Sequence, residues 1–145
     1  MNTPFCINLA RTCALAIPLL VAGAPSHAQT QSWDYKSYPR DRQSGLYIKD
    51  KFNTATITVE EKDGKATFRM ISPGRGDPCF NRGELPAVVE RGAETTTITV
   101  TPELSGCDPF RYVIKNDGSG GVRLKLRNDG GWVPDGLDHG LTRKQ

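Results

Sequence analysis

The sequence predicts an all-β fold, a small antiparallel barrel or sandwich of about seven or eight strands that follow one another as a meander of hairpins, with one disulfide. Three observations favour this class. Apolar and polar residues alternate with a period of two in several segments, and turn signals recur between these segments. Two cysteines, Cys79 and Cys107, lie in the part of the chain that carries the alternation.

The first 28 residues have the pattern of a secretory signal peptide. An apolar run, CALAIPLLVAGA, covers residues 13–24 and is shorter than the roughly 20 residues that span a bilayer. Small residues precede a cleavage site after Ala28. We therefore expect a periplasmic or secreted chain that starts at Gln29, with an uncleaved anchor as the alternative.

Removal of this leader leaves 117 of the 145 residues, which is the size of one domain. Residues 29–44 are polar with interspersed aromatics and predict an extended N-terminal arm that docks through Trp33 and Tyr35. Residues 45–145 predict a single β domain. The remaining 18 basic and 16 acidic side chains are too evenly balanced to predict nucleic-acid binding, and no later segment is apolar enough to span a membrane.

Cys79 and Cys107 predict a disulfide, because an exported chain with two cysteines most simply pairs them. A metal site or a catalytic thiol is the alternative. His139 is the only histidine after the leader, so no Cys/His metal set can be assembled at the usual spacing. We predict no metal and no cofactor.

Two segments, residues 54–60 and 65–71, predict a first hairpin around the turn signal Asp63-Gly64. If Glu60 lies opposite Lys65, apolar residues meet on one face and polar residues on the other.

Residues 110–115 and 121–127 predict a second hairpin around NDGSG. Pairing Ile114 with Val122 puts Phe110 and Tyr112 on the core face together with Leu124 and Leu126. The opposite face then exposes a basic patch of Arg111, Arg123, Lys125 and Arg127. Such a patch predicts either nearby carboxylates or an anionic partner, and a solvated face is the alternative.

The other predicted elements are shorter. Residues 87–90 and 95–101 predict a middle hairpin, residues 46–48 and 132–133 predict short strands, and the remaining C-terminal residues predict a turn-rich tail. The aromatic residues that we expect to face the core are Tyr47, Phe68, Phe110 and Tyr112.

The tripeptide Arg75-Gly76-Asp77 lies between Pro73 and Pro78 and is followed by Cys79. These residues predict an ordinary turn. The alternative is an adhesion ligand presented by a loop that the prolines and the cysteine constrain.

The C-terminal loop contains Asp129, Asp135, Asp138 and His139. Their spacing does not match a calcium-binding loop, so we predict no calcium site. His139 could act as a base, but no serine or free cysteine nucleophile lies nearby in sequence. We therefore assign no catalytic residue.

Residues 44–47, SGLY, resemble the start of small disulfide-bearing periplasmic lysozyme inhibitors, which are antiparallel barrels. The likeness covers four residues and transfers no residue role. The observations together favour a small exported non-catalytic binding protein of the bacterial envelope that binds another protein, in the manner of an inhibitor or immunity protein. The candidate contacts are the basic patch and the loop with Arg75 and Asp77. The alternatives are an adhesion protein that uses the Arg75-Gly76-Asp77 loop, and a small hydrolase that uses His139 and loop carboxylates.

Overall fold

The computed structural model describes residues 28–73 and 79–145, and these residues form nine strands and no helix. In chain order the strands are β1 (Gln29–Tyr38), β2 (Asn53–Lys62), β3 (Lys65–Ile71), β4 (Leu85–Arg91), β5 (Thr95–Val100), β6 (Phe110–Lys115), β7 (Gly121–Leu126), β8 (Trp132–Pro134) and β9 (Asp138–Arg143). The all-β prediction is confirmed. The count exceeds the predicted seven or eight, because β1 and β9 are full strands.

The nine strands form one antiparallel sheet in the order β8-β7-β6-β5-β4-β3-β2-β1-β9. The first eight strands follow one another as the predicted meander, and β9 crosses back to pair with β1. The sheet is not closed, since β8 and β9 remain its two edges, and its shape is that of an open barrel or a sandwich.

A single core lies on the inner face of this sheet. The apolar residues of the alternating segments form the core, because every second side chain of a strand points to the same face. The largest fully buried side chains are Tyr35, Tyr112, Phe68, Phe110, Ile57, Met70, Ile98 and Val100. Tyr112 is the centre of the aromatic packing, with its ring centroid 5.9 Å from that of Tyr35, 6.0 Å from that of Phe68 and 5.8 Å from that of Phe110. Tyr47, which we expected in the core, is only half-buried.

Most of the segment predicted as an extended arm, residues 29–44, is instead a strand of the sheet. Residues Gln29–Tyr38 are β1, which pairs with β2 along one edge and with β9 along the other. Trp33 and Tyr35 are buried in the core. Residues 46–48, predicted as a short strand, contribute only an isolated bridge between Tyr47 and Arg40.

The first hairpin forms around the predicted Asp-Gly signal, but its predicted register is wrong by two residues. Lys62, not Glu60, lies opposite Lys65. Asp63 and Gly64 form a two-residue turn with φ values of 52° and 74°, the doubly positive conformation that matches strand twist. A shift of two residues keeps every side chain on its face, so the polar pattern could not distinguish the two registers.

The predicted register of the second hairpin is wrong by one residue, and this error has a larger consequence. Ile114 lies opposite Gly121 rather than Val122, and Tyr112 lies opposite Arg123. A shift of one residue exchanges the two faces of β7. Arg123 therefore points into the protein and is buried, whereas Val122 and Leu126 are exposed.

Strand β9 explains why this register is favoured. A Cβ atom on Gly121 would lie 2.8 Å from the carbonyl oxygen of Val113 and 2.9 Å from Cδ1 of Leu141 on β9. Only glycine leaves room for Leu141, which is itself buried. The packing of β9 against β7 therefore favours the register in which Gly121, and not Val122, lies opposite Ile114.

The predicted disulfide is confirmed. Cys79 and Cys107 are bonded, with their Cα atoms 5.0 Å apart, and both are buried. The bond joins the segment after β3 to the segment before β6 across a sequence separation of 28 residues.

Removing this disulfide should destabilise the fold. A loop of 28 residues gives a loss of roughly 3–4 kcal/mol, because the reduced unfolded chain gains conformational entropy. We expect a Cys79→Ser/Cys107→Ser variant to unfold at a clearly lower urea concentration than the oxidised protein. Equal midpoints and slopes for the two proteins would contradict this prediction.

Candidate functional site

Two features of the fold are candidates for a functional site. The first is a cleft around the inward-pointing Arg123. The second is an exposed surface at the end of β1 and in the segment that follows, where cations lie over aromatic rings.

Arg123 lies on the inner face of β7 with only 11% of its side chain exposed. Its guanidinium carbon is 4.6 Å from the ring centroid of Phe110 and 5.9 Å from that of Tyr112. Its Nε is 3.9 Å from Oδ2 of Asp135. The cation is thus accommodated by aromatic faces and by a carboxylate of opposite charge.

Asp135 begins a buried chain of hydrogen bonds. Its Oδ1 lies 2.6 Å from Nε2 of His139, and Nδ1 of His139 lies 2.8 Å from the hydroxyl of Tyr35. An ionised carboxylate only accepts hydrogen bonds, so Nε2 donates to it. With a neutral imidazole, the Tyr35 hydroxyl then donates to Nδ1.

Opposing effects act on the pKa of Asp135. Burial raises the pKa, but it is offset by hydrogen bonds from His139 and from the amide of Leu137 and by the charges of His139 and Arg123, so that the pKa lies below its ordinary value of 3.8. Asp135 is therefore ionised at neutral pH. The histidine side chain is only 1% exposed, and both of its ring nitrogens are engaged inside the protein.

A cleft of about 300 Å³ opens next to Arg123 and Asp135. Strands β1, β6 and β7, the loop before β9 and the segment after Cys79 all contribute to its walls. The lining residues are Tyr35, Ser37, Asn53, Cys79, Phe80, Asp108, Pro109, Phe110, Arg123, Lys125, Asp135 and Leu137. It combines aromatic walls with charges of both signs.

The second feature, which we call the cation–aromatic surface, consists of Lys36, Tyr38, Arg40, Tyr47, Lys49 and Phe52. Each aromatic ring has a cation over its face, at 4.7 Å for Lys36 on Phe52, 4.6 Å for Arg40 on Tyr47 and 4.3 Å for Lys49 on Tyr38. Tyr38 and Phe52 also contact each other, with ring centroids 5.8 Å apart. The surface lies on the outer face, because Lys36 and Tyr38 alternate with the inward Ser37.

Local hydrogen bonds hold the loop that carries Arg40 and Tyr47. Oδ1 of Asp41 accepts hydrogen bonds from the amides of Gln43 and Ser44 and from the Ser44 hydroxyl. These bonds, the Ser44 amide first, lower the pKa of Asp41. The amide of Asp41 donates to the carbonyl oxygen of Leu46 at 2.8 Å, which closes the loop. Leu46 is 70% exposed at its tip.

The structure separates the four residues of the predicted basic patch. Arg111 lies on the outer face of the sheet, over the ring of Trp132 at 4.4 Å, and donates to Oγ1 of Thr99. Arg123 is inside, and Lys125 is at the rim of the cleft. Arg127 is exposed and lies 3.0 Å from Asp129. The prediction of one solvent-exposed basic face is wrong, because it depended on the wrong register of β7.

The adhesion tripeptide Arg75-Gly76-Asp77 lies outside the described residues. In the C-terminal loop, Asp135 and His139 are brought together in the buried chain, while Asp129 contacts Arg127 at the surface. Among the residues that the structure describes, no group of three or more His, Cys, Asp or Glu side chains is placed to hold a metal ion. No helix in the described part of the chain is long and apolar enough to cross a membrane.

Sequence reasoning missed Tyr35 as the partner of His139 and missed the cation–aromatic surface entirely. Tyr35 and His139 are 104 positions apart, so no local pattern connects them. A signal for the surface was present, since residues 36–52 contain cations interspersed with aromatics, but we interpreted residues 29–44 as an arm and residues 46–48 as a short strand. No protein-family model, curated protein or solved structure matches this chain.

Replacing Tyr35 with phenylalanine should cost about 1–3 kcal/mol of stability, because Nδ1 of the buried His139 loses its partner. Tyr47→Phe is the matched control, since the Tyr47 hydroxyl bonds Arg40 at the surface, and it should change stability by about 0.5 kcal/mol or less. Urea unfolding at neutral pH measures both. A Tyr35→Phe protein as stable as the control would show that the buried bond contributes little.

The lowered pKa of Asp135 also predicts a pH dependence. A carboxyl whose pKa is lower in the folded state stabilises the fold above its unfolded value of 3.8, and this stabilisation is lost as the pH falls through the folded value. We expect the wild type to lose more unfolding free energy than Asp135→Asn between neutral pH and acid well below pH 3.8. Parallel loss in the two proteins would mean that Asp135 is not linked to stability.

Proposed function

We propose that this chain is a small exported non-catalytic binding protein of the bacterial envelope, and that its partner is another protein, as for an inhibitor or an immunity protein. The observation that carries the proposal is the cation–aromatic surface, in which three aromatic rings are each covered by a cation on the outside of the sheet.

The composition of this surface supports protein binding. Tyrosine, phenylalanine and arginine are enriched where proteins contact each other, and tyrosine and arginine recur among the residues that contribute most to affinity. Leu46, which precedes Tyr47 in the chain, adds an apolar side chain that is 70% exposed. The hydrogen-bonded loop of Asp41 holds the backbone at Leu46 in place before binding, which reduces the entropy lost on association.

Charge favours an acidic partner. Residues 36–52 contain five lysine and arginine side chains and two aspartates. We infer that the partner presents carboxylates around a shallow apolar pocket that takes Leu46. Opposite charges on the two proteins would accelerate association, and salt would weaken that effect.

The environment of His139 supports a binding role over a hydrolase that uses this residue. A general base must reach the proton that it abstracts, whereas both ring nitrogens of His139 are engaged by Tyr35 and Asp135 and the side chain is almost fully buried.

The proposed export agrees with two further observations. All nine strands of the described sheet lie after the predicted cleavage site at Ala28, so removal of the leader would leave the sheet intact. A disulfide is compatible with an extracytoplasmic protein. Adhesion through Arg75-Gly76-Asp77 remains the alternative.

The test starts from the oxidised, tagged protein and a periplasmic extract of the producing organism. A captured protein is identified and purified, and its affinity is then measured by calorimetry for the wild type, for Leu46→Asp and for Arg40→Glu/Lys49→Glu. We expect each variant to weaken binding about 30-fold or more, because it removes a central contact or reverses the charge of the surface.

Two controls keep the result specific. Val88→Asp alters another exposed apolar residue, 61% exposed on β4. Lys65→Glu/Arg69→Glu reverses two exposed charges on β3, where Lys65 lies opposite Lys62 at the end of β2 remote from Phe52. Both controls should bind like the wild type. Equal affinity for all variants would contradict the proposed surface. Adhesion of host cells that depends on Asp77 would instead favour the alternative.

A further inference from the structure

We propose that the cleft around Arg123 is a binding site for a small zwitterion, an α-amino acid with an apolar side chain. This site is independent of the proposed protein partner, because it lies on the inner face of β1 and the cation–aromatic surface lies on the outer face.

The size and walls of the cleft limit what it can hold. Its volume of about 300 Å³ is at the lower end for small-molecule sites. Phe80, Phe110 and Leu137 supply apolar surface, and the bonded Cys79 anchors the segment that carries Phe80. An amino acid with an apolar side chain fits this space.

The charges of the cleft balance. Arg123 and Lys125 supply two positive charges, and Asp108 and Asp135 supply two negative ones. A simple anion or cation entering the cleft would meet a like charge as well as an opposite one. A ligand that carries one charge of each sign, with no net charge, complements the cleft better than either.

The positions of these side chains orient the ligand. Arg123 and Lys125 are two residues apart on β7, so they line the same side of the cleft. Arg123 keeps its contact with Asp135, and the exposed Lys125 meets the carboxylate. Asp135 already accepts hydrogen bonds from His139 and the amide of Leu137, which leaves the exposed Asp108 to meet the ammonium group. The hydroxyl of Ser37 and the amide of Asn53 add hydrogen-bonding groups to the wall.

The experiment is an NMR titration of the oxidised protein with L-phenylalanine and with two analogues that each lack one charge. 3-Phenylpropanoate has no ammonium group, and 2-phenylethylamine has no carboxylate. We expect L-phenylalanine to shift resonances of the cleft residues, and each analogue to bind at least about tenfold more weakly, because each one loses a charged contact with Lys125 or with Asp108.

Variants at the rim locate the site without disturbing the buried chain. Lys125→Gln and Asp108→Asn should each weaken binding of L-phenylalanine by about tenfold. Arg127→Gln is the matched control, because Arg127 is a nearby cation, two residues after Lys125, that lies outside the cleft lining. The Arg127→Gln protein should bind L-phenylalanine with the affinity of the wild type. Thermal melts confirm that all variants fold.

Three results would overturn the proposal. The first is no shift in the cleft with L-phenylalanine. The second is equal affinity for the amino acid and either analogue, which would show that the paired charges do not select the ligand. The third is binding that Lys125→Gln and Asp108→Asn leave unchanged, which would move the site elsewhere.

Discussion

The inward position of Arg123 is the constraint on which much of this structure depends. A buried guanidinium is costly to remove from water unless opposite charge and aromatic faces surround it. Phe110 and Tyr112 cover its plane, and Asp135 supplies the carboxylate. Because Asp135 must itself remain ionised, it is held in turn by His139 and by a backbone amide. The buried cluster of Arg123, Asp135, His139 and Tyr35 is thus organised around one side chain on β7.

The same chain of contacts joins strands that are remote in sequence. His139 belongs to β9 and bonds Tyr35 on β1, while Asp135 reaches Arg123 on β7. These contacts hold β9 at the edge of the sheet next to β1, where Leu141 also packs over Gly121. The two ends of the open sheet are therefore linked by side chains rather than by a backbone ladder. The disulfide adds a second link, between the segments after β3 and before β6.

Strand β1 relates the two candidate sites. Its alternation sends Tyr35 and Ser37 into the cleft and Lys36 and Tyr38 to the outer surface. The two faces differ in kind. The inner one lines a cleft that is balanced in charge, which suits a small molecule, whereas the outer one is exposed and cationic, which suits the surface of an acidic protein. A single strand therefore contributes to both proposed sites without shared side chains.

By itself the sequence determined the all-β class, the three main hairpins and the disulfide, because alternation, turn residues and cysteine pairing are local or compositional signals. It also determined the inner face of β2 and β3, since a shift of two residues leaves Ile57 and Phe68 inside. It led to the wrong register for β7, because the alternation of Val122, Leu124 and Leu126 points to these residues as the inner face, whereas the register depends on Leu141 meeting Gly121. It could not reveal β9, the pairing of Tyr35 with His139 or the cleft. Only the tertiary structure decided these, because they arise between residues that are close in space and remote in the chain.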